Sequence, residues 1–181
     1  MTRKGIIGKR SVPAWLALLL AGGASLCLTS CATVPSNHVR MERLALAQQI
    51  ASEPSGDYFI GRRYFKSNYR FWGYLRRPQQ PWSSAVLVML NENKKLAPDR
   101  AQLGPAGSGE SYENHAGFDN NYEYKLNGYF SGDKVYELVS NSIYPEFVLT
   151  NYELRSKNPP PIFPSQINGK PVSPYVIEKP E

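Results

Sequence analysis

Apolar residues follow three different patterns along this chain, and each pattern predicts a different kind of structure. Residues 38–53 carry apolar side chains at helical spacing and are followed by Pro54 and Gly56, which predicts one short helix. Residues 57–155 contain several stretches in which apolar and polar side chains alternate, as they do in β-strands. Residues 156–181 contain seven prolines and predict an extended tail that forms neither a helix nor a central strand.

The candidate strands of the middle segment are separated by turn signals. Residues 85–90 are apolar without interruption, which predicts a strand buried on both faces. Residues 122–130 alternate, Ser131-Gly132-Asp133 is a tight-turn signal, and residues 134–139 are predicted to form the return strand. A last strand is predicted over residues 147–154. About six strands at these intervals predict a mainly β fold, a small barrel or sandwich of the OB-like or SH3-like type.

The first thirty residues depart from all of these patterns. Their four charged residues are all basic and lie within the first ten positions, and an uncharged stretch follows from Val12 to Leu28. This stretch is about 17 residues long and is interrupted by Pro13 and Gly22, so it is near the lower limit for a membrane-spanning helix. A basic start, a short apolar centre and small residues before a cleavage point are typical of a secretory signal. We therefore expect residues 1–30 to be an export signal.

Leu28-Thr29-Ser30-Cys31 resembles the lipobox of bacterial lipoproteins, in which an aliphatic residue and two small residues precede a cysteine. The resemblance implies cleavage before Cys31, a diacylglycerol on its thiol, and acylation of the new amine, for example by palmitate. Two or three acyl chains hold a protein stably to a lipid bilayer, because each buried methylene contributes roughly 0.8 kcal/mol. Residues 31–37 are then the tether. In such lipoproteins an aspartate directly after the cysteine favours retention in the inner membrane. This chain has Ala32 at that position, so the resemblance implies the outer membrane.

Removal of the signal changes the charge of the chain. The complete sequence has 21 basic and 15 acidic residues, a net charge of +6, but four of the basic residues and none of the acids belong to residues 1–30. The remainder has 17 basic and 15 acidic residues, a net charge of about +2, so a nucleic-acid partner is not expected. Both cysteines, Cys27 and Cys31, lie in the signal or at its boundary, so the domain has neither a disulfide nor a thiolate site.

The remaining charge is unevenly distributed. Residues 62–100 contain nine basic residues and two acids, Glu92 and Asp99, whereas residues 101–181 contain ten acids and six basic residues. Such asymmetry steers a charged partner, or it produces ion pairs between the two halves of the domain.

Arginines and aromatic residues crowd into about twenty positions between Arg62 and Trp82. Alternation along residues 69–76 places four of them on one strand face, which is the candidate binding face: Arg70, Trp72, Tyr74 and Arg76. Aromatic rings stack on other rings or on sugars, and arginine pairs with carboxylate or phosphate. The face therefore predicts a protein or an anionic cell-wall polymer as partner. In the alternative interpretation, half of the aromatic residues are core and the arginines lie over the others in cation–π contacts.

Candidate catalytic side chains are concentrated in a polar, glycine-rich loop over residues 104–121, which includes Glu113, His115 and Asp119. The loop matches no calcium-loop, phosphate-loop or G-x-S-x-G pattern, so no metal, cofactor or catalytic residue is expected. The sequence favours a non-enzymatic binding or structural module. Two alternatives stay open: an envelope hydrolase that uses loop carboxylates or His115, and a spacer between the lipid anchor and the proline-rich tail.

Overall fold

The computed structural model describes residues 37–101, 116–173 and 175–181. The expected export signal, Cys31 and most of the tether lie outside these residues, as do Glu113 and His115. No helix within the described ranges is both long and apolar enough to cross a membrane. The elements in chain order are α1 (Asn37–Ala51), β1 (Phe59–Arg63), β2 (Phe71–Arg76), a 3-10 turn (Trp82–Ser84), β3 (Val86–Asn91), α2 (Pro98–Ala101), β4 (Glu123–Glu137), β5 (Ser142–Ser156) and α3 (Pro164–Asn168).

The five strands form a closed barrel in the order β1-β2-β3-β5-β4. Neighbouring strands are antiparallel except β3 and β5, which are parallel. Since β4 pairs with both β1 and β5, the chain leaves β3 and passes to the far side of the barrel before β5 returns beside β3. The predicted mainly β fold with one preceding helix is confirmed. Of the two barrel types expected, five strands with this crossover correspond to the OB-like one.

Side chains from all five strands fill the interior of the barrel. Trp72 of β2, Leu126 of β4 and Phe147 of β5 are completely buried there. β3 contributes Val88 to the interior, whereas the next residue, Met89, is buried on the outer face of the barrel. The unbroken apolar run over residues 85–90 therefore forms a strand whose centre is buried on both faces, as predicted.

The outer face of β1, β2 and β3 is covered by α1 and by the tail. Ile50 of α1 and Ile162 and Phe163 of the tail are buried in the same cluster as outward-facing residues of these strands. Helix α3 then begins at Pro164, where proline is tolerated because the first turn leaves its amide positions unpaired in any case. The predicted extended, helix-free tail is therefore wrong over residues 162–168, where an apolar pair packs the tail onto the barrel.

β2 contains a register shift between Phe71 and Gly73. A β-bulge adds one residue to a strand, so the side chains beyond it point to the opposite face from the one that simple alternation predicts. Consequently Trp72 and Leu75 both belong to the interior cluster, while Phe71 and Tyr74 both belong to the outer one. The alternation predicted for this strand is wrong beyond the bulge.

β4 continues through Ser131-Gly132-Asp133, where the sequence predicts a tight turn and a return strand. Gly132 has a φ of +92°, and the pairing of β4 with β5 is irregular between Phe130 and Lys134. The turn signal therefore produces a bulge inside a long strand, and the chain reverses over residues 138–141 instead. The distal part of this hairpin, residues 131–145, lies beyond the positions at which β4 pairs with β1 and β5 pairs with β3, and is called the arm below.

Candidate functional site

The four residues of the candidate binding face do not form one exposed surface. Arg70 is exposed, but Trp72, Tyr74 and Arg76 keep only 0%, 3% and 3% of their accessible surface. Trp72 lies in the barrel interior, whereas Tyr74 lies under the tail and donates a hydrogen bond to the carbonyl of Glu178. The predicted face is therefore wrong for three of its four members, because the bulge divides them between two faces and α1 and the tail cover the outer one.

The buried arginines are held by carboxylates. Arg76 donates two hydrogen bonds to Glu53, from Nη1 to Oε2 at 2.7 Å and from Nη2 to Oε1 at 2.6 Å. Arg62 donates to Glu123 at 3.1 Å, and Arg155 lies between the two carboxylates, 3.2 Å from Glu53 and 3.0 Å from Glu123. Burial raises the pKa of Glu53, but its bonds to Arg76, to the Gln79 amide and to Arg155 outweigh burial and leave the pKa lowered. Ion pairing between the two halves of the domain is thus confirmed.

Trp82 lies between two of these arginines. The guanidinium carbon of Arg62 is 5.1 Å from the centroid of the indole, and that of Arg76 is 4.5 Å away. Arg63 has the same relation to Trp72 in the interior, at 4.6 Å. Cation–π attraction is stronger at such desolvated sites than at the surface. The alternative interpretation is therefore correct in placing many of these aromatic residues in the core, but the arginines lie over buried tryptophans and not over the remaining aromatic residues.

A second buried polar cluster closes one end of the barrel interior. Arg63 donates from Nη2 to Asp99 Oδ2 at 2.8 Å and from Nε to Asp119 Oδ1 at 3.3 Å. Tyr124 donates its hydroxyl to Asp119 Oδ2 at 3.1 Å. Burial raises the pKa of Asp119, Arg63 opposes that shift, and the Asp99 carboxylate adds to it. Asp119 is therefore committed to internal contacts, and Glu113 and His115 lie outside the described residues.

An open groove of about 640 Å³ lies beside this cluster, and we call it the arm groove. One wall is the β1–β2 connection with Tyr69 and Arg70, the floor includes Phe71 and Met89, and the arm supplies Val135. In OB-like barrels, the β1–β2 and β4–β5 connections and the sheet between them are the usual ligand-binding region. Because α1 and the tail cover most of that sheet, the arm groove is the part of the region that the described residues leave open.

Charged side chains line the groove at several points. Arg100 is paired with Glu92, and Glu146 accepts a hydrogen bond from Asn91 at 3.1 Å. Among the described residues, Arg70 forms no ion pair within 4.0 Å. Burial raises the pKa of Glu137, but hydrogen bonds donated by Ser140 and Val139 and the nearby positive charge of Arg70 outweigh burial and leave that pKa lowered. Arg70 is therefore the groove cation that remains able to pair with a ligand.

Aromatic side chains form a shelf along the same groove. The rings of Tyr69 and Phe71 lie 5.4 Å apart and are inclined by 30°, and Tyr144 of the arm packs edge-on against Phe71 at 5.0 Å. Lys66 lies 5.0 Å from the Tyr69 ring centroid. The sequence missed this site because Asp99, Arg100 and Val135 reach it from distant segments. The one indication in the sequence was that Asp99 is one of only two acids among residues 62–100, the basic segment.

The described ranges contain no group of three or more histidine, cysteine, aspartate or glutamate side chains placed to hold a metal ion. The arm groove itself combines an aromatic shelf, a buried carboxylate and Arg70, which is unpaired among the described residues. No protein-family model, no curated protein and no solved structure matches this chain. The groove and the N-terminal motif are the features of this chain that bear on its function.

Proposed function

We propose that this chain is a lipid-anchored binding module of the bacterial envelope and that its arm groove binds an anionic cell-wall polymer. The observation that carries the proposal is the groove itself, in which the exposed Arg70 lies next to the Tyr69–Phe71 shelf. An open groove accepts a segment of a long polymer, and arginine binds carboxylate or phosphate with planar, paired hydrogen bonds. No catalytic step is part of the proposal.

Two features support the choice of a binding function over the two alternatives. A spacer has no need of an open groove with an unpaired cation, and groove volumes of roughly 300–1,000 Å³ are typical of ligand sites. A hydrolase needs a base or nucleophile in contact with the substrate, whereas Asp119 is completely buried and bonded to Arg63 and Tyr124. The lining of the groove and the burial of Asp119 together favour a binding function over a spacer or a hydrolase.

The proposed anchor fits the position of the first helix. α1 begins at Asn37, six residues after Cys31. Six extended residues span at most about 22 Å, since each contributes up to 3.6 Å. An acylated Cys31 would therefore keep the start of α1 within about 22 Å of the bilayer surface, on the side of the cell-wall layer that the groove is proposed to bind.

The anchor is tested by labelling cells with radioactive palmitate. We expect the wild-type chain to carry the label and Cys31→Ala to lose it completely, because the thioether to the diacylglycerol requires that thiol. Cys27→Ala is the matched control, four positions earlier in the signal, and should be labelled like wild type. Label retained by Cys31→Ala, or absent from wild type, would contradict the anchor.

The groove is tested by sedimentation of the detergent-solubilised lipoprotein with purified cell-wall sacculi. Arg70→Ala should lower the apparent affinity by about tenfold, since a hydrogen bond to a charged group is worth roughly 1.5–3 kcal/mol and part of it is screened here. Arg77→Ala is the control, because Arg77 is also an exposed arginine near β2 but pairs with Asp57 outside the groove. Equal sedimentation of wild type and Arg70→Ala, or an equal loss in Arg77→Ala, would refute the role of the groove.

A further inference from the structure

One oxygen of a buried carboxylate in the arm groove has no partner. Asp99 keeps 1% of its accessible surface. Its Oδ2 accepts hydrogen bonds from Arg63 Nη2 at 2.8 Å and from the Gly117 amide at 3.2 Å. Its Oδ1 accepts none from the described part of the chain. Most buried polar atoms in native proteins are bonded, and an acceptor left without a partner destabilises the fold.

Asp99 borders the arm groove, and its Oδ1 keeps less than 1 Å² of accessible surface. Asp99 is one of the residues that line the arm groove, together with Phe71, Met89, Ala97 and Val135. A donor that reaches Asp99 must therefore belong to a group whose remaining surface fits apolar and aromatic walls. A small hydrated cation does not meet that condition, whereas a sugar ring does, because its hydroxyls lie at the edge and its C–H groups lie on the face.

The aromatic shelf matches the same kind of ligand. Tyr69 and Phe71 lie at 30° to one another, and Tyr144 packs edge-on against Phe71. Phe71 keeps 6% of its accessible surface, so Tyr69 is the more accessible ring of the shelf and Phe71 supports it. Aromatic side chains commonly supply the surface on which apolar faces of rings stack, and Tyr keeps a hydroxyl for a polar partner. Arg70 completes the set with a positive charge at the rim of the groove.

We propose that the arm groove binds an acidic saccharide unit whose ring stacks on Tyr69, whose hydroxyl donates to Asp99 Oδ1, and whose carboxylate pairs with Arg70. The inference rests on the proposed function and names its ligand class: the anionic polymer is a glycan that carries carboxylates on its sugars. Three different groups of the sugar then meet three different groups of the groove.

The experiment uses the detergent-solubilised, full-length lipoprotein and two soluble probes, trigalacturonic acid and its uncharged methyl ester. Calorimetric titration should show that both bind and that the acid binds about tenfold more tightly. Arg70→Ala should abolish that preference and leave binding of the ester unchanged. Tyr69→Ala should weaken both probes by about fivefold, as the loss of one aromatic contact predicts. Tyr175→Ala, which removes a tyrosine that is 84% exposed and does not line the groove, should weaken neither.

The contact to Asp99 has a readout that needs no variant. In protein labelled with carbon-13, the side-chain carboxyl resonance of Asp99 should move on addition of either probe. That of Asp57, whose side chain is exposed beside Arg77, should not move. Binding without a shift at Asp99 would overturn this contact.

The outcomes also separate the two proposals. Arg70-dependent sedimentation with sacculi, without binding of either trisaccharide, overturns the saccharide inference and keeps the proposed function. Competition of cell-wall peptide fragments with sacculi, without competition by the trisaccharides, does the same. Binding of the trisaccharides with no sedimentation of wild type on sacculi supports the saccharide site and overturns the proposed polymer.

Discussion

Replacing Arg76 by alanine is expected to lower the free energy of unfolding by about 3–5 kcal/mol, the range found when one partner of a buried ion pair is removed. Arg76 keeps 3% of its accessible surface and bonds Glu53 through both terminal nitrogens. Without it, the buried Glu53 carboxylate keeps only the Gln79 amide and the partly exposed Arg155 as donors. The loss of contact with Trp82 adds to the effect. Urea denaturation followed by circular dichroism measures the change.

The neighbouring Arg77 is a matched control, since it is the same residue type one position along the chain. Its side chain is 45% exposed and pairs with Asp57, which is 96% exposed. Surface ion pairs contribute about 0–1 kcal/mol, so Arg77→Ala should change the free energy of unfolding by less than about 1 kcal/mol plus a small loss of contact with Phe59. Similar effects for the two substitutions would show that Arg76 is hydrated in solution and would contradict the buried network.

Replacing Gly73 by alanine is expected to cost about 3 kcal/mol or more, the upper part of the range for overpacked sites. A Cβ on Gly73 would lie 2.1 Å from the carbonyl oxygen of Arg62 and 2.8 Å from the amide nitrogen of Tyr64, both on the backbone. Neither atom can move away without breaking the pairing of β1 with β2. The φ of +156° at this position adds strain for any residue with a side chain. Thermal unfolding and sedimentation with sacculi should both be affected, because the bulge sets the position of Phe71 in the groove.

Gly132→Ala separates the steric effect from the conformational one. Gly132 also has a positive φ, +92°, but a Cβ there would have no atom within 4 Å. The cost should therefore be the conformational one alone, about 1–2 kcal/mol. A Gly73→Ala protein as stable as Gly132→Ala would mean that the bulge in β2 does not have the geometry described.

The cover on the barrel explains why the groove, and no other face, is the candidate site. OB-like barrels commonly bind ligands on the face of strands 2 and 3. In this chain that face packs against Ile50, Ile162 and Phe163, and within the described ranges its end between the β1–β2 connection and the arm stays open. The helix and the tail, which the sequence separates by about a hundred residues, thus limit the ligand to one position.

Local patterns determined much of the fold by themselves. The helix predicted over residues 38–53 is α1, Asn37–Ala51, because its spacing and the proline after it are properties of neighbouring residues. The apolar run over residues 85–90 determined a strand whose centre is buried on both faces. The spacing of about six predicted strands indicated a small barrel or sandwich, and the structure has a closed barrel of five strands. A tight-turn signal, in contrast, was compatible both with a reversal and with a bulge, and only pairing with β5 decided for the bulge at Gly132.

The exposure of the arginines was decided by tertiary structure alone. The sequence placed Arg70, Trp72, Tyr74 and Arg76 on one strand face and left open whether the charges meet a partner or one another. Gly73 was the only local sign of a bulge, since isolated glycine in a strand is typical of one. The register that puts Arg62 opposite Glu123, and the packing that brings Glu53 to Arg76, join residues far apart in sequence. The charge pattern of the sequence shows which residues can form ion pairs. Burial and pairing depend on segments that are distant in sequence, so only the folded chain decides which arginine remains without an ion pair.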